Sequence, residues 1–366
     1  MDFDLTCKAP YCPLTQIALA GSNAMNLKQL SEILGLSQTT VSRALNGYPE
    51  VAERTRLRVQ HAAQKHNYQP NIGAQRLARG RSMTIGHVIP LSTQHEMVNP
   101  VFADFIAGAG ERYSACGYDM KLTIVDDQNE EDIYRDLKSR GSVDGIIVHG
   151  PLMNDPRIPL LQELDLPFVV HGRASDIETP YCWVDVNNAS AFQRAGEFLL
   201  SLGHRRIGLI NGLEHMDFAH RRRAGLVAAL EAAGITPNPD YLHAGEMTEI
   251  NGHNAMKAML ALDTPPTAVV VASFIAALGV RRALDEAGLR MARDVSVITF
   301  DDDLSYLRNG DSIPIFTATR SSVRQAGRLS ADLLISHIEN PTAAPEHKLL
   351  EADLIIGNST GPVPQE

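Results

Sequence analysis

The sequence predicts an all-α head of three helices with a helix-turn-helix, then a hinge helix and a two-lobed α/β body of doubly wound parallel sheets. Two observations support this fold class. Residues 25–65 contain short amphipathic helices that are separated by turn residues. From residue 84 onward, short apolar runs alternate with amphipathic helices. This part, about 280 residues, is too long for one sheet, so we expect two lobes.

The first helix and its end are predicted from leucine spacing and turn residues. Leu27, Leu30 and Leu34 recur three and four residues apart, which places them on one apolar helix face. Gly35 ends this helix, because glycine readily adopts the backbone conformation of a helix C-terminus. Ser37 is a suitable N-cap for the helix that follows. The pattern is typical of two helices joined by a tight turn.

The second helix, predicted over residues 38–45, carries side chains suited to DNA. Gln38, Thr39 and Arg43 can reach base edges, since arginine pairs with guanine and glutamine with adenine. Short hydroxyl and amide groups on the same helix suit phosphate oxygens: Thr40, Ser42 and Asn46. The second helix of a helix-turn-helix lies in the major groove. We therefore predict a DNA-binding head, with a third helix over residues 52–65.

Charge is unevenly distributed along the chain. Residues 25–82 hold nine Lys/Arg against three Glu, a net charge of +6. The whole chain carries −10 and residues 1–24 carry −1, so residues 83–366 carry −15. A basic head on an acidic body indicates a polyanion-binding surface at one end of the chain.

Five segments are expected along the chain: an extension left out of the fold, 1–24; the head, 25–69; the hinge helix, 70–82; a first lobe, 83–183 with 318–342; and a second lobe, 184–317 with 343–366. Apolar runs predict seven strands, at residues 84–89, 119–125, 145–149, 167–171, 206–210, 268–272 and 295–300. Ligands of such sheets bind beyond the carboxyl ends of the strands, in the cleft between lobes.

The cysteines and the apolar runs indicate the compartment. The four cysteines lack zinc-ligand spacing, and we expect Cys116 and Cys182 to be reduced and buried. No apolar run approaches the length of a membrane span. The sequence therefore favours a cytoplasmic protein without metal or cofactor.

Several motifs resemble the lactose/galactose-repressor (LacI/GalR) family of bacterial transcription regulators. In the head these are Leu36-Ser37-Gln38-Thr39-Thr40-Val41-Ser42-Arg43-Ala44-Leu45-Asn46 and Tyr68-x-Pro70-Asn71-x-x-Ala74-x-x-Leu77-Ala78. In the body they are Leu202-Gly203-His204-Arg205-Arg206-Ile207-Gly208, Arg222-Arg223-Ala224-Gly225, Pro266-Thr267-Ala268 and Asp294-Val295-Ser296-Val297-Ile298-Thr299-Phe300-Asp301-Asp302. The resemblance covers residues 25 to about 361. It implies a periplasmic-binding-protein-like body and a sequence-specific DNA-binding regulator, most often a repressor, rather than an enzyme.

The resemblance implies a particular contact with a pseudo-palindromic operator. Leu77 matches a residue that inserts into the minor groove at the operator centre, with Ala74 beside it. Tyr68 and Asn71 match residues that contact the DNA backbone nearby. An apolar wedge of this kind unstacks a base step and kinks the duplex. Two heads that read two half-sites require a homodimer.

The resemblance also implies an effector site between the lobes. Arg222 matches an arginine that hydrogen-bonds polar groups of the effector, and Asp301 an aspartate that accepts hydroxyl protons from it. Phe102 matches an aromatic residue that covers the ligand. Other pocket positions depart from the family pattern and weigh against a galactoside or a purine: His171, Met247, Ser273 and Val323.

The segments 273–274, 301–307 and 315–320 are similar to proteobacterial regulators of α-glucoside utilisation. We therefore expect a mono- or disaccharide effector, an α-glucoside in particular. Effector binding should change the spacing of the hinge helices and hence DNA affinity. Whether the effector raises or lowers this affinity is left open.

Three alternatives are kept: a transport-type sugar-binding protein, an enzyme on the same α/β fold, and a DNA-architectural protein without effector, against which Arg222 and Asp301 argue. A transport-type protein would share the body but lack the basic head. The sequence contains no glycine-rich phosphate loop, G-x-S-x-G elbow or zinc-ligand triad that would favour an enzyme.

Overall fold

The computed structural model describes residues 25–68, 80–90, 99–126 and 129–365. They belong to two compact units, divided between Gly80 and Arg81. Several predictions lie outside the described residues: the extension at 1–24, most of the hinge helix, and Asn71, Ala74 and Leu77.

The head contains the three predicted helices: α1 (Leu27–Leu34), α2 (Gln38–Leu45) and α3 (Glu53–Lys65). Gly35 ends α1 with φ +62°, in the left-handed region that favours glycine. The Ser37 side chain accepts a hydrogen bond from the Thr40 amide, which caps α2. The helices bury a small core that includes Leu30, Leu34, Val41, Ala44, Val59 and Tyr68.

The body begins with a first sheet and its helices: β1 (Thr84–Pro90), α4 (Pro100–Cys116), β2 (Asp119–Val125), α5 (Glu130–Ser139), β3 (Gly145–His149), α6 (Arg157–Glu163), β4 (Phe168–His171) and β5 (Cys182–Val186). A second sheet with its helices follows: α7 (Asn188–Ser201), β6 (Ile207–Asn211), α8 (Asp217–Ala232), β7 (Leu242–Ala244), α9 (Glu249–Leu260), β8 (Ala268–Val271), α10 (Phe274–Glu286), β9 (Ser296–Asp301) and β10 (Thr317–Arg320). The chain ends with α11 (Val323–Glu339), β11 (His347–Leu350) and β12 (Asp353–Ile355).

In the described part of the body, each lobe is built on one six-stranded sheet. The strand order is β2-β1-β3-β4-β5-β11 in the first lobe and β7-β6-β8-β9-β10-β12 in the second. All neighbouring strands are parallel except β10 and β12. The predicted strands are all present, and except for β2 their apolar runs are largely buried. The strands that were not predicted are all short: β5, β7, β10, β11 and β12. Of these, β7, β11 and β12 lie at the edges of their sheets.

The chain crosses between the lobes three times: between β5 and α7, between β10 and α11, and between β11 and β12. The expected lobe boundaries differ from this arrangement. Residues 347–350 fall within the expected second lobe, whereas β11 pairs with β5 in the first. Strand β10 starts at Thr317 and pairs with β9, so residues 318–320 belong to the second sheet. Main-chain pairing decides to which sheet β10 and β11 belong. Each strand has only four residues, so the sequence contains no long apolar pattern that would show this.

Two helices of the first lobe pack unusually closely. A β-carbon at Gly108 of α4 would lie 2.1 Å from the carbonyl oxygen of Arg324 on α11. A β-carbon at Gly327 of α11 would lie 2.2 Å from the carbonyl oxygen of Phe105 on α4. Only glycine permits this approach at the two positions. The contact brings the N-terminal turns of α4 and α11 together at one end of the lobe.

The two cysteines of the body differ in exposure. Cys182 is buried in β5, as expected, but Cys116 is exposed as the last residue of α4, so its expected burial is wrong. Across the described ranges, no helix is both long and apolar enough to cross a bilayer.

Candidate DNA-binding surface and effector cavity

The residues predicted to reach base edges lie on the exposed face of α2. Gln38, Thr39 and Arg43 are exposed, while Val41 and Ala44 on the opposite face are buried. The Arg43 guanidinium has no hydrogen-bond or ion-pair partner among the described residues. A free guanidinium on an exposed helix face is able to meet a guanine edge.

The predicted phosphate-contacting residues of α2 are partly engaged within the head. The hydroxyl groups of Thr40 and Ser37 lie 2.8 Å apart. The amide nitrogen of Asn46 donates to the Ser42 carbonyl at 2.9 Å. Tyr68, matched to a residue that contacts the DNA backbone, packs in the head core with 9% of its surface exposed.

The basic residues of the head fall into two groups. Arg56 donates to the Tyr48 carbonyl at 3.1 Å, and Arg58 donates to the Leu34 carbonyl at 2.7 Å. These two arginines therefore brace the helices against each other. A second group is exposed without such contacts: Lys28, Arg43, Arg54 and Lys65. This second group leaves most of the local positive charge available to a polyanion.

A cavity of about 160 Å³ lies between the carboxyl ends of the two sheets. Its first-lobe wall includes Phe102, Phe105, His149, His171 and Val323. Its second-lobe wall includes Phe218, Arg222, Met247, Ser273, Phe300 and Asp302. Six of the seven predicted effector residues therefore line one cavity: Phe102, His171, Arg222, Met247, Ser273 and Val323.

Asp301, the seventh, does not line this cavity. Its carboxylate accepts two hydrogen bonds from Arg320, at 3.0 and 2.9 Å, and one from the Asp303 amide. These bonds tie the end of β9 to the end of β10. The next residue, Asp302, lies on the cavity wall instead. Asp302 lines the cavity and Asp301 does not, since adjacent side chains at a strand end point in opposite directions.

Asp302 is the acidic group best placed to meet a ligand. Its carboxylate has no hydrogen-bond partner among the described residues. Burial raises the pKa of this carboxyl to about 7. The positive charge of Arg222 lowers the pKa, and the negative charge of the neighbouring Asp301 raises it. A hydrogen bond from a ligand hydroxyl would stabilise such a carboxylate, because a buried acceptor without a partner costs free energy.

Arg222 is the basic group of the cavity, and it is held from several sides. Its Nε donates to the Asn188 side chain at 2.8 Å, and its Nη1 donates to the Ala272 carbonyl at 2.6 Å. The guanidinium carbon lies 4.1 Å from the centre of the Phe300 ring. Burial lowers its pKa to about 10, so it remains charged at neutral pH. Its Nη2 has no partner within the described ranges and is available to a ligand.

Asn188 connects this arginine to the first crossing between the lobes. Its Nδ2 donates to the Val186 carbonyl at 3.0 Å and to Asp185 at 3.3 Å. Asp185 in turn accepts from Arg173 at 2.7 Å. This network extends from a first-lobe loop through the end of β5 to Arg222. Movement of the lobes about this crossing would therefore shift the cavity arginine.

The remaining predicted residues shape the cavity in different ways. The ring centre of His171 lies 4.3 Å from that of Phe105 at an angle of 31°, and neither of its nitrogens has a hydrogen-bond partner in the described part of the chain. The Ser273 hydroxyl caps α10 by accepting from the Ile275 amide, which leaves its proton for a ligand. The sulfur of Met247 lies 3.9 Å from Arg222 Nη1.

Sequence reasoning missed several cavity residues, among them His149, Asn188, Phe218 and Asp302. One signal could have identified His149. It ends the apolar run of β3, as His171 ends β4, and β3 and β4 are neighbours with these two residues in register. Asn188 and Phe218 have no comparable signal, because helices that follow distant strands place them there.

The lobes contact each other on two sides of the cavity. Asp104 on α4 accepts from the Ser305 amide and hydroxyl, both at 2.7 Å, across to the loop after β9. Asp217 at the start of α8 accepts from the Ser175 amide at 2.9 Å, and Arg221 donates to the Ser175 hydroxyl at 2.8 Å. These hydrogen bonds join the two lobes directly.

Comparison with known proteins places this architecture in a family. Residues 27–71 match the model of bacterial regulatory proteins of the lacI family, and residues 197–360 match a periplasmic binding protein-like domain. The HTH-type transcriptional regulator AglR of Rhizobium meliloti (strain 1021) is 45% identical over 341 residues, which cover 93% of this chain and 95% of AglR. The chain belongs to the LacI family. It is therefore a DNA-binding transcriptional regulator and not an enzyme.

Other LacI-family proteins agree over nearly the whole chain. The transcriptional repressor CytR of Escherichia coli (strain K12) is 30% identical and aligns with 93% of this chain and 98% of its own. The structure of the lac repressor dimer bound to operator and the anti-inducer ONPF has a TM-score of 0.78 at 26% identity, covering 92% of this chain and 99% of that chain. A CelR–cellobiose complex has a TM-score of 0.68 at 28% identity, covering 92% of this chain and 99% of that chain.

The raised pKa of Asp302 predicts that Asp302→Asn increases the thermal stability of the ligand-free protein, by an amount that depends on pH. Between about pH 4 and pH 7 the folded protein holds a proton on Asp302 that the unfolded chain loses, so wild-type stability falls as pH rises through this window. Asparagine removes this loss. The variant should therefore melt at a higher temperature than wild type at pH 8, with the difference shrinking toward pH 5. The fluorescence of Trp183, the single tryptophan, reports unfolding of the body.

Asp303→Asn is the control, because Asp303 is exposed and outside the cavity lining. It should keep the wild-type pH dependence. A constant difference between Asp302→Asn and wild type from pH 5 to pH 8 would contradict the burial of a titrating carboxyl at this position.

Proposed function

We propose that the cavity binds a small sugar and that this sugar controls the affinity of the head for an operator. The hydrogen-bonding groups that support this are Arg222, Asp302, Ser273 and His171, which together offer both donors and acceptors. A sugar hydroxyl donates and accepts, so it satisfies both kinds of group. The aromatic walls, Phe102 and Phe218 among them, suit the apolar C–H faces of a sugar ring.

An α-glucoside is the sugar we favour. The support is the similarity of residues 273–274, 301–307 and 315–320 to regulators of α-glucoside utilisation, together with the 45% identity to AglR. The cellobiose held by CelR is a precedent in a relative for an effector built from two sugar rings. A mono- or disaccharide with glucose as the recognised ring is therefore the effector class.

The proposed DNA contacts are those of the exposed α2 face and of the segment after the head. Gln38, Thr39 and Arg43 would read bases, and Thr40, Ser42 and Asn46 would contact phosphates. The buried ring of Tyr68 limits it to a contact through its hydroxyl edge. For the hinge we keep the family roles: a backbone contact for Asn71, and minor-groove insertion for Leu77 beside Ala74.

We propose that the protein acts in the cytoplasm as a homodimer joined through strand β2. Among the described residues this edge strand pairs with β1 alone, and Met120, Leu122 and Ile124 project from one side with 39–54% of their surfaces exposed. An exposed apolar stripe on an edge strand is a liability unless another chain covers it. A twofold axis through this stripe would also provide the paired heads that a pseudo-palindromic operator needs. The related lac repressor is itself a dimer.

The proposed control is a change in how the two lobes close. The contacts Asp104–Ser305 and Ser175–Asp217 hold the lobes together on either side of the cavity. A ligand that spans both walls stabilises one degree of closure. If operator binding prefers one closure, effector and operator affinities become coupled, by about 1–3 kcal/mol in typical cases.

Arg43→Ala should weaken binding to the preferred operator by about 1–3 kcal/mol and relax selection at one base position. The loss arises because a bidentate contact to a base is removed together with one positive charge. Selection of duplexes from a random pool, followed by affinity measurement at fixed salt, reports both effects.

Arg54→Ala is the matched control, since Arg54 is an exposed arginine of α3 outside the recognition helix. It should weaken all duplexes alike. If Arg43→Ala also lowers every affinity equally and leaves base preference intact, Arg43 does not read a base.

Arg222→Ala should abolish the effector response and leave operator affinity in the absence of effector unchanged. The side chain lies on the wall of the cavity, and all the residues that line this cavity belong to the body. Calorimetry against a panel of sugars, purines and amino acids first identifies the ligand of the wild-type protein, and operator release is then titrated with that ligand. Purine or amino-acid binding without sugar binding would refute the proposed effector class.

Arg223→Ala is the neighbouring control, because Arg223 pairs with Glu214 outside the cavity. It should respond as wild type does. Arg222→Lys guards against misfolding of the alanine variant, since it retains a buried positive charge. An alanine variant that releases DNA at the wild-type effector concentration would remove Arg222 from the site.

Ile124→Glu should convert the dimer to monomers, because a carboxylate in the middle of an apolar interface loses its hydration without gaining a partner. Sedimentation equilibrium at micromolar concentration measures the change. Ile250→Glu is the control, because Ile250 on α9 is also an exposed isoleucine, at 63% against 54% for Ile124. A dimer that persists in Ile124→Glu would place the interface elsewhere.

A further inference from the structure

A continuous chain of buried side chains leads from the core of the first lobe to the cavity. The Tyr113 hydroxyl on α4 lies 3.1 Å from Nε2 of His87 on β1. Nδ1 of His87 lies 2.9 Å from Nε2 of His149, at the end of β3. Tyr113 and His87 are fully buried, whereas His149 lines the cavity. The second ring nitrogen of His149, Nδ1, has no partner among the described residues.

Both histidine rings of this relay are neutral. Burial lowers the pKa of His87 to about 3 and the pKa of His149 well below its usual value. Arg157, which donates to the His149 carbonyl at 3.0 Å, also disfavours a charged ring there. A neutral imidazole carries one N–H donor and one bare nitrogen acceptor. The direction of every hydrogen bond in the relay therefore follows from the tautomer of each ring.

Tyr113 decides that direction. Its hydroxyl proton has one acceptor within the described part of the chain, Nε2 of His87. If His87 carried its proton on Nε2, the buried tyrosine proton would have no acceptor, which costs a factor of roughly ten or more in population. His87 must then carry its proton on Nδ1 and donate it to Nε2 of His149. That nitrogen must be bare, so the proton of His149 sits on Nδ1.

We propose that Tyr113 and His87 are positioning residues that fix His149 as an N–H donor to the effector. The site therefore requires an acceptor oxygen on the ligand beside His149, a hydroxyl or an ether oxygen of a sugar, and rejects an ammonium group there. The ring is also held in place, with Phe105 at 4.9 Å and Phe102 at 5.2 Å edge-on to it. His171 differs, because no relay fixes its tautomer. This inference rests on the proposed sugar effector.

Nitrogen NMR of the full-length protein with ¹⁵N-labelled histidine tests the relay directly. The His149 signals are assigned by their loss in His149→Asn. In the wild type we expect a single Nδ1–H tautomer at His149. Addition of the effector should shift the Nδ1 resonance and leave the tautomer unchanged. A wild-type His149 in the Nε2–H form, or one that changes tautomer on effector binding, would overturn the proposal.

Tyr113→Phe removes the constraint without removing the ring. The Nδ1–H population of His149 should fall from near one toward about one half. The effector Kd should then rise about twofold, since only the competent fraction binds. Tyr134→Phe is the control, because Tyr134 is an equally buried tyrosine of the same lobe whose hydroxyl contacts Glu130. It should leave the His149 tautomer and the effector Kd unchanged.

The two proposals fail in different ways. A Tyr113→Phe protein with a pure Nδ1–H His149 would refute the positioning role, whatever ligand binds. A wild-type protein that binds no sugar, yet shows the pure Nδ1–H form, would refute the sugar effector and the donor contact to it. The role of Tyr113 and His87 in fixing the His149 tautomer would then still hold.

Discussion

A buried positive charge at Arg222 is the constraint on which the rest of the effector site depends. A guanidinium removed from water is costly unless its protons are bonded and its faces are packed. Asn188 and the Ala272 carbonyl supply the bonds, and Phe300 supplies the packing. These partners come from three different elements of the second lobe. The position of the arginine therefore follows the arrangement of the whole lobe around the cavity.

Asp302 balances this charge only in part. Its carboxyl group is enclosed with the arginine nearby, yet burial dominates and keeps its pKa high. A ligand with hydroxyl groups could accept from Arg222 and donate to Asp302 at the same time. The first-lobe wall is of a different kind, with neutral histidines and aromatic rings. A ligand that meets both walls couples the closure of the lobes to its own binding, which is the physical basis of the proposed control.

The sequence was sufficient for the fold class, for the head helices and for the buried strands, because apolar periodicity and capping residues are local signals. It located six cavity residues through the family resemblance. It placed Asp301 in the cavity, whereas Asp302 lines the cavity and Asp301 is bound by Arg320 from a neighbouring strand. It also missed β11 and His149, because exposed short strands and tertiary neighbours leave no local pattern. The Tyr113–His87–His149 relay likewise joins three separate elements.

The most direct test of the account is the reciprocity of the two binding sites. Operator affinity is measured with and without saturating effector, and effector affinity is measured with and without saturating operator, under one set of salt and pH conditions. Linkage requires the two ratios to be equal, and the account predicts a common factor of roughly 5 to 150. A ratio of one in both measurements, with effector still bound in the cavity, would contradict the claim that occupancy of the cavity controls the affinity for DNA.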